Sequence, residues 1–328
     1  MKYQPVLNLL DTEIAIKFIK DTFEKELAKA LKLTRVSAPL FVCPESGLND
    51  NLNGFERAVR FDILTIGKDV EIVQSLAKWK RMALAKYGFK EETGLYTDMN
   101  AIRRDETLDE LHSVYVDQWD WEKIIKKTER RLSYLKKTVN SIYKALLKLS
   151  KAVNNKYPQL AHNLPSEITI ISTQELLEKY PNLTRKEREN AIAKECGAVF
   201  IYGIGWPLSD GQAHDGRAAD YDDWKLNGDI LLWYEPLSIA MEISSMGIRV
   251  NDKSLVKQLR HKKELSKLEN PYCQDVINNR LPLTIGGGIG QSRLCMYFLN
   301  KVHIGEVQAS VWADDYIKEN AEKGINLL

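Results

Sequence analysis

Long apolar runs and export signals are both missing from this sequence. No segment approaches the roughly eighteen consecutive apolar residues that a membrane-spanning helix needs, and the first residues lack the basic-then-apolar order of a secretory signal. Apolar residues make up 44% of the chain and charged residues 28%, which is the balance of an ordinary globular protein. We therefore expect a cytoplasmic protein that binds no membrane.

Paired cysteines and an excess of one charge are missing as well. The cysteines at positions 43, 196, 273 and 295 form no C-x-x-C pair, so the sequence suggests neither a zinc site nor a disulfide framework. The net charge of +2 argues against a dedicated nucleic-acid-binding arm, and we expect no nucleic acid as a partner. A chain of 328 residues can bury a large core, and we predict one domain over residues 1–328.

The sequence does contain a glycine-rich segment, with glycine at four of the five positions from 286 to 290. We predict a sharp glycine bend and then a helix over residues 291–299, whose amino end offers free N–H groups to an anion. No Gly-Lys-Ser/Thr follows, and Gln291 breaks the Rossmann spacing, which excludes the two common phosphate loops. A tight turn that packs a helix on a sheet also explains the glycines, but Arg293 on the first helical turn favours a nucleotide site.

A strand with polar residues on one face comes earlier in the chain. Residues 111–121 predict a strand on which Val116, Gln118 and Asp120 share a side. A carboxamide and a carboxylate are unfavourable in a dry core, so this face should line a cavity. We expect the preceding segment to fold back over the strand as a hairpin and to present Arg103 to a phosphate.

Two polar segments have open interpretations. The turn at residues 44–54 contains Asp50 and is typical of solvated turn chemistry, and a ligand contact by Asp50 is the alternative. The long loop at residues 205–225 carries Asp222 among three close aspartates, together with Arg217. A solvated acidic loop and a site for a cation or an amine are both consistent with this composition.

Two later strands bring further acids to the sheet. In the strand over residues 238–245, Glu242 lies on the small polar face, and Asp229 lies on the neighbouring strand over residues 228–234. If the register pairs them, these carboxylates supply hard oxygen ligands for Mg²⁺ beside a triphosphate. Arg249 follows at the exit of the second strand. Together the segments predict an α+β fold with a mixed, largely antiparallel sheet flanked by helices.

The combined motifs resemble the class II aminoacyl-tRNA synthetases. A proline-interrupted strand after the first long helix resembles their first motif, although a plain edge strand explains it nearly as well, and residues 102–122 and 286–293 resemble their second and third motifs. The narrower resemblance is to the ammonia-dependent asparagine synthetase A family. It is carried by the blocks LAKWKR (76–81), LHSVYVDQWDWE (111–122), DYDDW (220–224), LNGDIL (226–231), SSMGIRV (244–250) and TIGGGIGQSRL (284–294).

This resemblance implies a class II synthetase-like catalytic core in a cytosolic homodimer, which makes L-asparagine from L-aspartate, ATP and ammonia through β-aspartyl-AMP, with Mg²⁺. It implies that Asp229 and Glu242 hold the metal ion. The residues implied for the nucleotide are Arg103, Glu106, Val116, Glu242, Ser245, Gly290 and Arg293, and those for aspartate are Asp50, Ser75, Lys80, Gln118, Asp120 and Arg249. The two arginines of the nucleotide set would also stabilise charge during catalysis. The charge of the acidic loop adds Asp222 as a hypothesis for the group that attracts ammonium and accepts its proton.

Three places depart from the pattern of that family. Gln74 replaces a histidine, Val116 stands where synthetases usually offer a stacking phenylalanine, and the run at 224–226 is short. The alternatives are an aspartate or asparagine tRNA ligase and a non-catalytic regulatory paralogue. We identify no anticodon-binding barrel, which disfavours the first, and the expected arginines and acids are present, which disfavours the second. Free ammonia is the expected nitrogen donor, because Lys2 occupies the position of the cysteine that amino-terminal glutaminases need.

Overall fold

The computed structural model describes residues 2–50, 52 and 56–328, and this part of the chain forms nine α-helices and eleven strands. The helices are α1 (Leu9–Leu31), α2 (Ala77–Lys86), α3 (Leu132–Lys156), α4 (Thr173–Lys179), α5 (Arg185–Cys196), α6 (Asp252–Lys262), α7 (Pro271–Ile277), α8 (Gln291–Phe298) and α9 (Asp314–Lys323). The strands are β1 (Leu33–Arg35), β2 (Phe41–Val42), β3 (Arg60–Ile63), β4 (Lys68–Ile72), β5 (Gly94–Ile102), β6 (Tyr115–Ile124), β7 (Thr169–Ser172), β8 (Ala198–Tyr202), β9 (Asp222–Tyr234), β10 (Ile239–Arg249) and β11 (Thr284–Gly290).

A large sheet organises the fold. Among the described residues it has eight strands in the order β1-β5-β6-β11-β10-β9-β8-β7, and a separate sheet has the order β2-β4-β3. In the large sheet only the outer pairs, β1 with β5 and β7 with β8, run parallel. The predicted α+β fold with a mixed, largely antiparallel sheet is therefore confirmed.

The two faces of the large sheet differ in chemistry because side chains alternate along β6. Trp119 and Trp121 are fully buried and belong to the main hydrophobic core, which also contains the apolar faces of α1 and α3. Gln118, Asp120 and Glu122 alternate with them and point to the opposite face. One face thus holds the core, and the other gathers polar groups.

The proline-interrupted run after α1 does not form one strand. β1 joins the large sheet beside β5, whereas β2 joins the small sheet beside β4, and Pro39 lies in the connection between them. Proline has no N–H to donate to a ladder, so the pairing cannot continue through it. The run therefore connects two sheets.

The glycine-rich segment is a strand, and the predicted bend is wrong. These residues form β11, which pairs with β6 on one side and with β10 on the other. A Cβ atom added at Gly286 would lie 1.9 Å from Glu122 Oε2, and one added at Gly288 would lie 2.2 Å from Gln118 Oε1. Glycine is needed here because polar side chains of β6 lie across β11. The helix predicted after the glycines is confirmed as α8.

No helix in the described ranges is both long enough and apolar enough to span a membrane.

Candidate active site

A cavity of about 510 Å³ opens on the polar face of the sheet. Arg103 follows β5, Gln118 lies on β6, Glu242 on β10 and Arg293 on α8, and all four side chains line this cavity. The sequence interpretation required these residues at one place. The structure brings them together from four separate segments of the chain.

The predicted site residues fall into two groups around the cavity. Those that line it are Arg103, Glu106, Val116, Gln118, Glu242, Ser245, Gly290 and Arg293. Those that are not among its described lining residues are Asp50, Ser75, Lys80, Asp120, Asp222, Asp229 and Arg249. The nucleotide set therefore surrounds the opening, whereas most of the aspartate set lies behind it.

Two of the arginines that line the cavity, Arg103 and Arg293, keep donors available for a ligand. The backbone N–H of Arg103 donates to Val114 O at 2.8 Å and fixes the predicted hairpin. Arg103 Nε has no hydrogen-bond partner among the described atoms, and Arg103 Nη1 lies 3.9 Å from Glu106 Oε2. Arg293 donates to Glu242 O at 3.3 Å. Guanidinium groups with unused N–H donors suit phosphate oxygens.

The amino end of α8 has an anion of its own. The backbone N–H of Ser292 donates to Asp117 Oδ1 at 3.0 Å, and Gln308 Nε2 lies 3.3 Å from the same oxygen. A carboxylate at this position is stabilised by the helix dipole. The first turn of α8 thus contributes the Arg293 side chain to the cavity, while the Ser292 N–H of the same turn is occupied by Asp117.

A set of buried, mutually paired charges continues along the same sheet face; we call it the ion-pair layer, and it consists of Lys80, Asp120, Glu122, Asp222 and Arg249. Lys80 Nζ donates to the Asp120 carboxylate and to Gly287 O at 3.2 Å. Arg249 Nε lies 3.0 Å from both carboxylate oxygens of Glu122, and Arg249 Nη1 lies 2.5 Å from Asp222 Oδ1. Each member of the layer is at least partly neutralised by another.

The pairing sets the protonation of the layer. Burial alone would raise the pKa of Glu122, but the adjacent Arg249 lowers it below its usual range. Burial raises the pKa of Asp222 despite the same arginine, because Asp222 is entirely enclosed and Glu122 lies nearby. Burial likewise lowers the pKa of Lys80. These shifts follow from the loss of solvation, offset by contacts with opposite charge.

Asp50 lies in a second buried cluster. Lys78 Nζ donates to Asp220 Oδ2 at 3.1 Å, and Asp50 Oδ1 accepts from the N–H of Leu52 at 2.9 Å. Asp50 Oδ2 is buried with no hydrogen-bond partner among the described atoms, and burial raises the pKa of Asp50 to about 6 although Lys78 opposes the shift. Ser75 Oγ accepts from the N–H of Ala77 at the start of α2. Asn51, Asn53 and Gly54 of the predicted polar turn lie outside the described residues.

The carboxylates predicted for the metal ion are not opposite each other in the sheet. Glu242 pairs with Leu231 and Ser245 pairs with Asp229, with a bulge between positions 242 and 244. Burial raises the pKa of Asp229, and the charge of Glu242 adds to the rise, so the two carboxylates interact. Asp229 Oδ1 has no hydrogen-bond partner among the described atoms. In the described part of the chain, no group of three or more His, Cys, Asp or Glu side chains could hold a metal ion.

Three residues at the site received no role from the sequence. Arg217 lines the cavity, and its guanidinium donates to Asp229 and to Asp215. Tyr221 also lines the cavity, and its ring centre lies 5.7 Å from the Arg249 guanidinium carbon. Glu122 anchors Arg249. The alternation that identified Gln118 and Asp120 extends to Glu122, so that signal was present; for Tyr221 no comparable signal existed.

The comparisons with known proteins agree on a family. The family model described as aspartate–ammonia ligase matches residues 10–324. The chain is 58% identical over 327 residues to an aspartate–ammonia ligase of Clostridium perfringens (strain SM101 / Type A), covering 99% of this chain and 97% of that protein. It is also 58% identical over 325 residues to an aspartate–ammonia ligase of Bacillus cereus (strain B4264), covering 99% of each.

Solved structures give the fold. The asparaginyl-tRNA synthetase of Entamoeba histolytica, in complex with asparaginyl-adenylate, matches with a TM-score of 0.64 at 15% identity, over 92% of this chain and 66% of that chain. The enzyme of Pyrococcus horikoshii, also with asparaginyl-adenylate, matches with a TM-score of 0.64 at 16% identity, over 91% of this chain and 68% of that chain. The chain thus spans about two thirds of the length of these synthetases, and the predicted class II synthetase-like fold is confirmed.

Proposed function

The chain belongs to the aspartate–ammonia ligase family, and from that premise we propose how its cavity carries out the reaction. The protein is an enzyme of asparagine biosynthesis that joins ammonia to L-aspartate with the use of ATP. The convergence of Arg103, Gln118, Glu242 and Arg293 on one cavity is the observation that carries the proposal. Family membership favours this function over a tRNA ligase or a non-catalytic paralogue.

The proposed reaction has two steps because a free carboxylate is a poor acyl donor. The β-carboxylate of aspartate attacks the α-phosphorus of ATP, the bond from that phosphorus to the bridging oxygen breaks, and β-aspartyl-AMP and pyrophosphate form. Ammonia then attacks the acyl carbon, AMP leaves with the electron pair of the acyl–oxygen bond, and the nitrogen loses one proton. The products are L-asparagine, AMP and pyrophosphate.

Arg103 and Arg293 are proposed to hold the phosphates. Their donors meet negative charge that builds on the phosphate oxygens, and a preorganised donor of this kind stabilises a transition state more than a ground state. Glu106 and Gly290 line the same cavity and serve the nucleotide. Val116 offers an aliphatic face to the adenine, with Arg293 in the same cavity as the second wall.

Aspartate is proposed to bind where the cavity meets the ion-pair layer. Gln118 lines the cavity and donates from its carboxamide. Asp120 and Lys80 lie next along the sheet face and present paired charges to the amino and carboxyl groups of the substrate. Arg249, held by Glu122, supplies a rigid guanidinium. Asp50, from the second buried cluster, and Ser75 complete the set, and the Asp50 carboxylate attracts the α-ammonium.

The donors present fit a Mg²⁺ ion. Asp229 has a buried carboxylate oxygen with no partner among the described atoms, and Glu242 and the Ser245 hydroxyl lie on the adjacent strand. Hard oxygen donors in this number leave several coordination positions for phosphate oxygens and water, as Mg²⁺ requires. When bound, the ion neutralises charge on the triphosphate. Asp229 and Glu242 would hold it.

For ammonia, Asp222 remains the proposed proton acceptor. Burial raises its pKa, and a carboxylate with a raised pKa accepts a proton more readily near neutral pH. Arg249 engages Asp222 Oδ1 at 2.5 Å, so the group is held in a fixed orientation. Asp222→Asn should keep aspartate-dependent pyrophosphate exchange and lose asparagine formation. Full ammonia-dependent turnover by a variant that still forms the adenylate, or equal loss of both activities, would remove Asp222 from this role.

The assembly, the compartment and the single domain remain proposals. We propose a cytoplasmic homodimer, in which α1 and the connection at Pro39 contribute to contact between copies. The exposed apolar side chains of Val6, just before α1, and of Leu9, Leu10 and Ile14 in its first turns support this contact. Light scattering on the purified protein would test it, and a monomeric mass at micromolar concentration would argue against the dimer. Cooperative unfolding in one transition would support the single domain.

One experiment tests the proposed function directly. The purified protein is incubated with ATP, labelled pyrophosphate and aspartate, and the return of label into ATP is followed. We expect exchange that depends on aspartate and magnesium, and AMP and asparagine when ammonium is added. Exchange that is absent with aspartate, or that proceeds equally without it, would contradict adenylate formation.

A further inference from the structure

Arg217 has a position that the reaction scheme does not explain. Its guanidinium donates to the carboxylate of Asp229 and to Asp215 Oδ2 at 2.6 Å, and its side chain lines the nucleotide cavity. The side chain is 15% exposed, so the ion pair with Asp229 is largely shielded from water. A permanent cation of the protein therefore occupies one side of the carboxylate that we propose as a metal ligand.

The backbone before Arg217 is tied down, so this position is not that of a loose surface loop. Arg185 on α5 donates to Ala213 O at 2.5 Å, and His214 contacts Glu189 of the same helix at 3.1 Å. A bridge between Pro207 and Ala213 closes the base of the loop. The backbone therefore holds Arg217 in a defined place, and its side chain lies between Asp229 and the cavity.

The pair of carboxylates Asp229 and Glu242, the proposed metal site, needs the positive charge of Arg217 for a physical reason. Asp229 and Glu242 are carboxylates close enough to influence each other, and a buried anion without compensation is strongly unfavourable. A divalent cation and a guanidinium both relieve the repulsion. Arg217 engages Asp229 Oδ2 and leaves Oδ1 without a hydrogen-bond partner among the described atoms. A guanidinium and a metal ion on the two oxygens of one carboxylate repel each other, so the two cations compete for Asp229.

We propose that Arg217 is a counter-ion that exchanges partners during the reaction. It neutralises Asp229 in the free enzyme, and when a metal–triphosphate complex binds, the metal ion takes over Asp229 while the guanidinium of Arg217 turns to the phosphate oxygens. No covalent bond changes, and the exchange alters only which anion the guanidinium of Arg217 faces. The inference rests on the proposed function, since it presumes the metal seat at Asp229 and Glu242.

The exchange predicts opposite effects on two ligands from one substitution. In Arg217→Met the competing cation is gone, so Mn²⁺ should bind the nucleotide-free enzyme roughly ten- to hundredfold more tightly, which corresponds to the loss of one charge-assisted hydrogen bond. A non-hydrolysable ATP analogue should bind about tenfold more weakly, because one phosphate donor is lost. Mn²⁺ is measured from the electron paramagnetic resonance signal of the free ion, and the analogue by calorimetry, on the full-length protein.

Two further variants keep the test decisive. Arg280→Met removes an exposed arginine that pairs with Asp275 at 2.6 Å, and it should change neither affinity. Arg217→Lys keeps the positive charge but loses the bidentate geometry of the guanidinium. It should shift both affinities in the same directions as Arg217→Met, but by less. If Arg217→Met does not fold, the lysine variant decides the question.

The outcomes separate this inference from its alternatives. Tighter Mn²⁺ with weaker analogue binding supports the exchange. Weakening of both ligands would mean that Arg217 only maintains the structure, and unchanged binding of both would also overturn the proposal. Aspartate-dependent pyrophosphate exchange by the wild type is measured on the same preparations, so a failure of the proposed function is recognised separately from a failure of this inference.

Discussion

The cavity wall and the ion-pair layer lie on the same face of one sheet, yet they treat charge in opposite ways. In the wall, as far as the described residues go, Arg103 keeps a donor without a partner, and Arg293 donates to a backbone carbonyl at 3.3 Å. In the layer, Lys80 and Arg249 are fully engaged by carboxylates. The wall keeps donors available for the phosphates, whereas the layer pairs its charges with one another and so fixes the groups that we propose for aspartate and ammonia.

The largest expected effect comes from breaking the layer. Arg249→Met leaves Glu122 and Asp222 buried without their cation, and we expect a loss of about 3–5 kcal/mol in the free energy of unfolding. Urea denaturation at pH 7.5 measures it, with the exposed Arg280→Met as a control that stays within about 0.5 kcal/mol. An Arg249→Met protein as stable as the wild type would contradict the idea of a self-compensated layer.

Breaking the wall should give the reverse pattern. Arg293→Met removes a donor that we propose acts on phosphate oxygens, and the rate of aspartate-dependent exchange should fall by roughly 10²–10³. Its free energy of unfolding should change by less than about 1 kcal/mol, because in the described part of the chain the guanidinium makes one long hydrogen bond. Steady-state exchange and urea denaturation are compared on the same sample. If the variant exchanges at the wild-type rate, Arg293 does not act on the phosphates. If it loses much stability, Arg293 holds the structure together as the ion-pair layer does.

The pH dependence of stability at Asp50 tests whether this buried carboxylate serves the structure or the substrate. Its pKa is raised to about 6 in the folded protein, above the ordinary value of 3.8, so folding is penalised when the group is ionised. Asp50→Asn should therefore stabilise the fold by about 1–3 kcal/mol above pH 6, and the gain should disappear as the pH falls from 6 to 4.

The same substitution should weaken aspartate binding, because the proposed anchor for the α-ammonium loses its charge. In the wild type, the KM for aspartate should accordingly rise below about pH 6 as Asp50 becomes protonated. Urea denaturation across the pH range and initial rates test both halves. A destabilised Asp50→Asn protein with unchanged KM would show that Asp50 is a structural group.

The smallest effect is expected at the adenine side of the wall. Val116→Phe would restore a stacking platform where this chain has an aliphatic face, and the KM for ATP should fall by about two- to fivefold, which corresponds to an aromatic contact of under ~1 kcal/mol. Val116→Ala serves as the opposite change. A higher KM for the phenylalanine variant would mean that the pocket is already filled at Val116.

The sequence predicted the polar face of the sheet well because alternation is a local property. Gln118 and Asp120 had to share a side of β6, and α8 had to begin where the glycines end. It did not predict that the glycines form a strand, since a glycine run is compatible with a turn and with a strand crossed by neighbouring side chains. Only the pairing of β11 with β6 decides between them.

The sequence could not predict which charged side chains form ion pairs, for a related reason. The contacts of Arg249 with Glu122, and of Arg217 with Asp229, join residues 127 and 12 positions apart. Residue type identified each group as charged, but not whether its counterpart would be a substrate or another side chain.

The central claim is that one cavity activates aspartate as an acyl-adenylate before ammonia arrives. The most direct test uses L-aspartate labelled with ¹⁸O in the β-carboxylate, with ATP and ammonium, and mass spectrometry of the nucleotide product. The account predicts one ¹⁸O atom in the phosphate of AMP for each asparagine formed. Label in inorganic phosphate with ADP as the product, or AMP without label, would contradict it.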